Sequence, residues 1–248
     1  NRVGFKALVE AFKDGIKQAA NIALPTAACG IIIAAVVQSG LATKFSNVVA
    51  AVGGSHLFLA LLITMIGCML LGMALPTVAA YLIAVVLFIP VMLKLGVPAL
   101  VAHMFCFYFG VMAQITPPVC LASFTAAGIA GADSWKTGWT AFTYALVAFL
   151  VPYAFTYQPA LLLMGSLVDT IVSGATLFVG VYALAATISG FMFRPLPPWK
   201  RALLFAIAML LIVPEVITDV IGVSGLLILF AIEKNAAKKA AKTIAEAK

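Results

Sequence analysis

Long apolar segments alternate with short polar ones along this chain, and the pattern predicts a series of membrane-crossing helices. Residues 21–42, 138–158 and 171–193 are each apolar over enough positions to cross a hydrocarbon core, at about 1.5 Å per helical residue. Residues 1–20 instead place apolar side chains at helical spacing between charged ones, which is typical of an amphipathic interfacial helix. The fold class that follows is an all-α polytopic membrane protein.

Two apolar segments do not fit single straight spans. Residues 57–93 are interrupted at "GMALPT" (72–77), which leaves two pieces of about sixteen residues, each about 24 Å long against a core of about 30 Å. This pattern predicts a re-entrant hairpin that returns to the side it came from. Residues 98–131 are interrupted at "QITPPV" (114–119), and we expect one crossing made of two half-helices, a discontinuous helix.

The positive charges agree with this layout. If the N-terminal helix is inside and residues 57–93 do not cross, only Lys44 and Lys94 of the fifteen Lys and Arg residues fall outside. Such a distribution obeys the positive-inside rule. If 57–93 were one crossing, Lys136 and Arg194 could not share a side with the N-terminal helix. We therefore expect the N-terminal helix and the C-terminal tail in the cytoplasm.

Composition narrows the class of protein further. Hydrophobic residues make up 65% of the 248 positions and charged residues 9%, so the formal charge of +7 indicates membrane orientation and not a nucleic-acid partner. The four cysteines lie in apolar runs without metal-ligand spacing and are predicted to be buried thiols. The sequence begins at Asn1 with no methionine or signal peptide, and we expect it to be a piece of a longer protein.

The two interruptions carry the candidate chemistry. A helix broken in hydrocarbon leaves backbone groups without partners, which is tolerated only where protein or a watery cavity covers them. Prolines 76, 117 and 118 lack an N–H and free further carbonyls upstream. Freed carbonyls together with the hydroxyls of Thr77 and Thr116 could bind Na⁺, and half-helix N-termini favour an anionic solute. The alternative is a pair of purely structural proline kinks.

At these residues the chain resembles a known family. The motifs "GMALPT", "ITPPV" (115–119) and "AAGIAGAD" (126–133), followed by "KTG" (136–138), are similar to the second half of the large membrane subunit of tripartite ATP-independent periplasmic (TRAP) transporters. They most resemble the fused permeases of its TAXI branch. The resemblance is specific over about residues 1–158, and the remainder resembles only the extra C-terminal region of those permeases.

The resemblance implies an elevator-type secondary transporter in a bacterial or archaeal cytoplasmic (inner) membrane. It would be driven by a Na⁺ or H⁺ gradient and would take an anionic, carboxylate-bearing solute from a separate periplasmic solute-binding protein. Each of its two inverted repeats has a hairpin and a broken helix, and this chain matches the second. The other repeat, as the N-terminal half of the same chain, and a small membrane subunit would be its partners.

The same resemblance divides the chain and assigns the site. It implies a second transport repeat over 21–158 after the interfacial helix 1–20, then a C-terminal membrane extension (159–233) and a basic cytoplasmic tail (234–248). No organic cofactor is expected. With no carboxylate near either break, a site of neutral oxygens suits Na⁺ better than a proton, although acid-dependent coupling through the missing half stays open. The candidate ion- and substrate-binding residues are Gly72, Pro76, Thr77, Gly110, Gln114, Thr116, Pro117 and Pro118.

Two other function classes stay open at this stage. A membrane assembly or scaffold module without transport of its own is compatible with half of a transport machine. An intramembrane enzyme would need a nucleophile with a base or a pair of acids in a cavity. No such motif occurs in the sequence, so we expect a protein that is not an enzyme.

Overall fold

A computed structural model of the chain describes residues 4–53, 56–212 and 216–246. These residues are almost entirely helical, without a named strand, which confirms the all-α prediction for this part of the chain. The chain divides into a first unit, residues 1–126, and a second unit, residues 127–248. The first unit holds α1 (Phe5–Gln38), α2 (Leu41–Gly53), α3 (Leu57–Ala74), α4 (Thr77–Leu87), α5 (Ile89–Lys94), α6 (Ala99–Met112) and the start of α7 (Leu121–Ala130).

The second unit begins within α7. Within the described residues, three helices of the chain are long and apolar enough to cross a membrane: Leu57–Ala74, Ser134–Tyr157 and Leu167–Ser189. The last two correspond to the predicted spans 138–158 and 171–193. The helices of the second unit are α8 (Ser134–Ala145), which continues through a 3₁₀ stretch (Leu146–Leu150) into α9 (Val151–Tyr157), then α10 (Leu167–Ser189), α11 (Pro198–Ile212) and α12 (Val216–Glu246).

The helices at the two chain ends extend across the predicted segment boundaries. Helix α1 runs without a break from Phe5 to Gln38, across the boundary between the expected interfacial helix 1–20 and the expected span 21–42. Alanine, the residue with the highest helix propensity, is frequent near this boundary, and the helix also accommodates Pro25. The segment 234–248, expected to be a basic tail, continues α12 up to Glu246 through another run rich in alanine and lysine.

The first interruption is a real end of two helices. Helix α3 stops at Ala74, and Leu75 and Pro76 adopt extended backbone before α4 begins at Thr77. Because α3 packs against α4, the segment forms a helical hairpin. Helix α3 has 18 residues, against the expected length of about sixteen, and is long enough to cross a membrane. The second arm consists of α4, with 11 residues, followed by α5 up to Lys94.

The second interruption is also present. Helix α6 ends at Met112, passes into a 3₁₀ turn (Ala113–Ile115), and the chain then leaves helical geometry until α7 begins at Leu121. The discontinuous helix predicted over 98–131 is therefore two half-helices with a break of five residues. Helix α7 ends at Gly131, whose positive φ closes the helix as a glycine in this position commonly does.

Local capping signals set where the helices of the second unit begin. The Asp133 carboxylate accepts a hydrogen bond from the backbone N–H of Lys136 at 2.7 Å, so Asp133 is the N-cap of α8, as its position in the sequence predicts. Ser166 caps α10 in the same way, because its hydroxyl oxygen accepts from the Asp169 N–H. These side chains satisfy backbone donors that have no partner within their own helix.

Helices α10, α11 and α12 pack into one apolar core in the second unit. Ala183, Leu204, Ala208 and Leu211 are completely or almost completely buried there. A Cβ added at Gly222 of α12 would come within 2.6 Å of the Leu211 side chain, so a residue without a side chain is required for α11 and α12 to approach this closely.

A group of three charges lies at one end of this core. The Glu233 carboxylate is fully buried and accepts hydrogen bonds from Arg194 Nε at 2.6 Å and from Lys200 Nζ. The hydrogen bond to Glu233 raises the pKa of the Arg194 guanidinium above its ordinary value. Since Arg194 precedes α11, Lys200 is in its first turn and Glu233 is on α12, one carboxylate joins three parts of the chain.

We predict that Glu233→Leu destabilises the second unit, because it leaves Lys200 buried without a counter-charge. A fall in Tm of about 5 °C is expected in detergent, measured by thermal unfolding. Lys200→Met is the matched comparison. Because Glu233 keeps its bond to Arg194 in this variant, the decrease in Tm should be smaller. Equal Tm values for Glu233→Leu and the wild-type chain would contradict the structural role of this carboxylate.

Candidate functional site

Pro76 determines the chemistry at the hairpin tip. In a continuous helix the Gly72 carbonyl would accept the N–H of residue 76, but proline has none. The Gly72 carbonyl instead accepts a hydrogen bond from Gln114 Nε2 at 3.0 Å. Gln114 lies in the 3₁₀ turn that ends α6, so the side chain of one helix break satisfies the backbone of the other.

Pro117 and Pro118 have the same effect at the second break. They remove the N–H groups that the carbonyls of Ala113 and Gln114 would accept in a continuous helix. The Ala113 carbonyl accepts from the Thr116 N–H at 3.2 Å instead. The Thr116 N–H is therefore not the donor to the Met112 carbonyl, as it would be in a continuous helix. The Met112 carbonyl accepts from the Thr116 hydroxyl instead, at 2.8 Å.

Gly72 allows α3 and α6 to approach each other. A Cβ added at Gly72 would lie 2.6 Å from the Gly110 carbonyl oxygen and 2.7 Å from the Ala113 Cβ, closer than real Cβ atoms come. A Cβ on Gly110, by contrast, would have no such neighbour within 4 Å. Gly72 is therefore the position at which the closeness of the two backbones depends on glycine.

A cavity of about 560 Å³ opens between the two breaks. Its walls combine the end of α3, the start of α4, the 3₁₀ turn after α6 and the start of α7. None of the lining side chains carries a formal charge, so the polar groups facing it are neutral. The residues that line it are Met73, Ala74, Leu75, Pro76, Thr77, Val78, Gln114 and Leu121.

The predicted site residues fall into two groups. Pro76, Thr77 and Gln114 line the cavity, and Gly72 adjoins it through its bond to Gln114. Thr116 is buried beside the cavity with its hydroxyl directed to Met112, and it is not part of the lining. Gly110, Pro117 and Pro118 are likewise outside the lining, and they shape the backbone around it.

Sequence reasoning missed the residues just before Pro76. The carbonyls of Met73 and Ala74 belong to the last turn of α3, where a helix leaves acceptors without intrahelical partners, and both residues line the cavity. The position of Pro76 alone was enough to point to them, because a proline after a helix marks which carbonyls come last. Leu121 carried no such signal in the sequence, and its place at the cavity is known only from the structure.

His103 has a specific partner on the hairpin. Its Nδ1 lies 2.7 Å from the Tyr81 hydroxyl oxygen, and Tyr81 is on α4. A histidine hydrogen-bonded to a neighbouring helix is the ordinary structural role for this residue type. Among the described residues, no group of three or more His, Cys, Asp or Glu side chains could hold a metal ion.

Two helix breaks that meet at one cavity, in a chain of apolar helices, are typical of membrane proteins of the solute-transporter class. The family model of the tripartite ATP-independent periplasmic transporter, DctM component, matches residues 1–170. The chain belongs to this family, and it is a membrane permease component for solute uptake. The family implies a periplasmic binding protein and a small membrane subunit as partners. No curated protein and no solved structure matches the chain.

We predict that Gly72→Ala forces α3 and α6 apart and costs about 1–3 kcal/mol of stability, because its new Cβ would overlap backbone that cannot move out of the way by rotation. The free energy of unfolding in detergent is the measurement. Gly110→Ala is the matched control, since its Cβ enters open space and alanine gains about 1 kcal/mol over glycine inside a helix. Equal losses at both positions would contradict the close approach.

Proposed function

We propose that this chain is the second inverted repeat of a Na⁺-coupled, elevator-type TRAP permease of the TAXI branch. In this proposal it receives an anionic, carboxylate-bearing solute from a separate periplasmic binding protein. The observation that carries the proposal is the uncharged cavity between the hairpin tip and the break of the discontinuous helix. Its partners would be the N-terminal half or a small membrane subunit, in a bacterial or archaeal inner membrane.

The chemistry of the cavity favours Na⁺ over a proton as the coupling ion. A proton-coupled site needs a titratable group, and no acid or histidine lines this cavity. Na⁺ is held by oxygen atoms, and the carbonyls at the end of α3 with the hydroxyl of Thr77 supply them. The Thr116 hydroxyl donates its hydrogen to the Met112 carbonyl. Its oxygen can still accept a hydrogen bond or coordinate a cation through its lone pairs.

The helix ends around the cavity also favour an anionic solute. Thr77 and Leu121 are the first residues of α4 and α7, so two helix N-termini face the same space. Helix N-termini carry partial positive charge and backbone N–H donors, which stabilise a carboxylate. The C-terminal end of α3 at Ala74 has the opposite polarity and suits a cation. An anion and a cation could therefore be bound next to each other.

A contact at the far end of the hairpin supports the re-entrant arrangement. Lys94 Nζ, at the end of α5, donates to Asn47 Oδ1 at 3.2 Å, and Asn47 lies on α2, which precedes the hairpin. The chain therefore begins and ends this hairpin at neighbouring positions, although α3 alone is long enough to cross. We infer that Lys44 and Lys94 share the periplasmic face, with the N-terminal helix and the C-terminal tail in the cytoplasm.

We predict that removing a hydroxyl at the site weakens Na⁺ binding. Thr77→Val and Thr116→Val keep the side-chain shape and should each raise the Na⁺ concentration for half-maximal thermal stabilisation about tenfold, equivalent to about 1.4 kcal/mol. The measurement is Tm of the purified chain against NaCl at constant ionic strength, with KCl as the balancing salt. It needs no knowledge of the solute.

Thr125→Val is the matched control for Thr116→Val. The Thr125 hydroxyl donates to the carbonyl four residues earlier, as Thr116 does, but it lies on the exposed face of α7. Thr64, fully buried on α3 and away from the tip, is a second control. Wild-type Na⁺ dependence in both test variants, or equal losses in the controls, would contradict an ion site at the two breaks.

We predict further that single cysteines replacing Lys44 and Lys94, in a background without the four native cysteines, react from the same side of the membrane. A cysteine replacing Lys136 should react only from the opposite side. An impermeant thiol reagent applied to intact cells and to inverted vesicles separates the two sides. Labelling of positions 44 and 94 from opposite sides of the membrane would contradict the re-entrant hairpin.

A further inference from the structure

Helices α11 and α12 leave an apolar groove of about 480 Å³ on the second unit. The lining residues recur at intervals of three or four on each helix, so each helix contributes one continuous stripe to a wall. The stripe residues include Leu203, Ala206 and Leu210 on α11 and Ile221, Ile228 and Ile232 on α12.

The groove has the length of one membrane leaflet. Ten helical residues separate Lys200 from Leu210, which corresponds to about 15 Å along α11. A hydrocarbon core of about 30 Å gives about 15 Å per leaflet. An acyl chain lying along the two helices would therefore reach from one end of the groove to the other.

Among the described residues that line the groove, the charged side chain is Lys200, at one end. Lys200 and Trp199 lie together at this end of the groove, and Lys200 Nζ is 5.2 Å from the centre of the Trp199 ring. Trp199 is exposed, as indole rings at the headgroup level of a membrane are. The opposite end, at Leu210 and Ile221, is lined by aliphatic side chains alone.

The charged end has an excess of positive charge. Arg194 and Lys200 both bond to Glu233, whose single negative charge cannot neutralise two cations. The Arg194 side chain is 41% exposed and so remains accessible to a further anion. Lys234, the next residue on α12, is also exposed and adds a third positive charge to this end of the unit.

From this charge, shape and length we propose that the α11–α12 groove binds an anionic phospholipid. One acyl chain lies between Ala206 and Ile228, and the phosphate lies at the Trp199–Lys200 end, where it meets the excess positive charge of Arg194 and Lys200. The groove lies beyond residue 170, outside the matched part of the chain, and the proposal does not depend on Na⁺ coupling.

Native mass spectrometry of the purified chain tests this proposal with two lipids that share the same acyl chains, phosphatidylglycerol and phosphatidylcholine. The wild-type chain should bind phosphatidylglycerol about tenfold more tightly. Ala206→Trp fills the groove and should weaken that binding about tenfold. Ala175→Trp, at an exposed position of α10 outside the groove, is the matched control and should bind as the wild type does.

A charge variant separates the headgroup contact from the acyl-chain contact. Lys200→Gln keeps a hydrogen-bond donor for Glu233 but removes the charge at the groove. The variant should therefore bind phosphatidylglycerol and phosphatidylcholine with similar affinities. The proposal is overturned if the wild-type chain binds both lipids equally, or if Ala206→Trp binds phosphatidylglycerol as tightly as the wild type. It is also overturned if Ala206→Trp changes only the oligomeric state, because the groove would then hold a second copy of the chain.

Discussion

The hydrogen bond from the Gln114 side chain to the Gly72 carbonyl is the contact on which the candidate site depends. Pro76 deprives this carbonyl of its helical partner, and a bare carbonyl in an apolar interior costs several kcal/mol. Because the replacement donor comes from the break in the other helix, the hairpin tip is not stabilised by itself. The hairpin tip and the discontinuous helix are one structural element, and the cavity lies where they meet.

Glycine at position 72 makes that bond possible, since any side chain there would collide with the Gly110 carbonyl. The same close approach brings helix ends of opposite polarity to one cavity, the C-terminal end of α3 and the N-terminal ends of α4 and α7. Partial charges from helix ends can bind ions without the desolvation cost of a buried formal charge. In the proposed site, these helix ends would bind charged species without any formally charged side chain.

The second unit uses charge in a different way. Glu233, Arg194 and Lys200 join the middle of α12 to the start of α11, and the pairing allows a carboxylate to be fully buried. Among the side chains that line the groove between α11 and α12, the charged one is Lys200, which lies at one end. Placing cations at the end of a helix bundle is consistent with a membrane orientation set by Lys and Arg.

The sequence alone determined the helical membrane class, the two interruptions and the family, because apolar runs, prolines and motifs are local properties of the chain. It also located Asp133 as a helix cap, since capping depends on residues three positions apart. In the structure α1 and α12 continue through alanine-rich segments across the boundaries that the sequence analysis placed there. Helix α3 has 18 residues against an expected length of about sixteen, because a proline indicates only approximately where a helix ends.

Only the tertiary structure decided which site residues meet. Thr77 and Thr116 are each next to a proline, but Thr77 lines the cavity while the Thr116 hydroxyl donates to the Met112 carbonyl. Gln114 and Gly72 are 42 positions apart, and their bond depends on the packing of α3 on α6. Spacing along a chain predicts which backbone carbonyls a proline leaves without a helical donor. The side chain that donates to such a carbonyl instead can come from a distant part of the sequence, so only the packed structure identifies it.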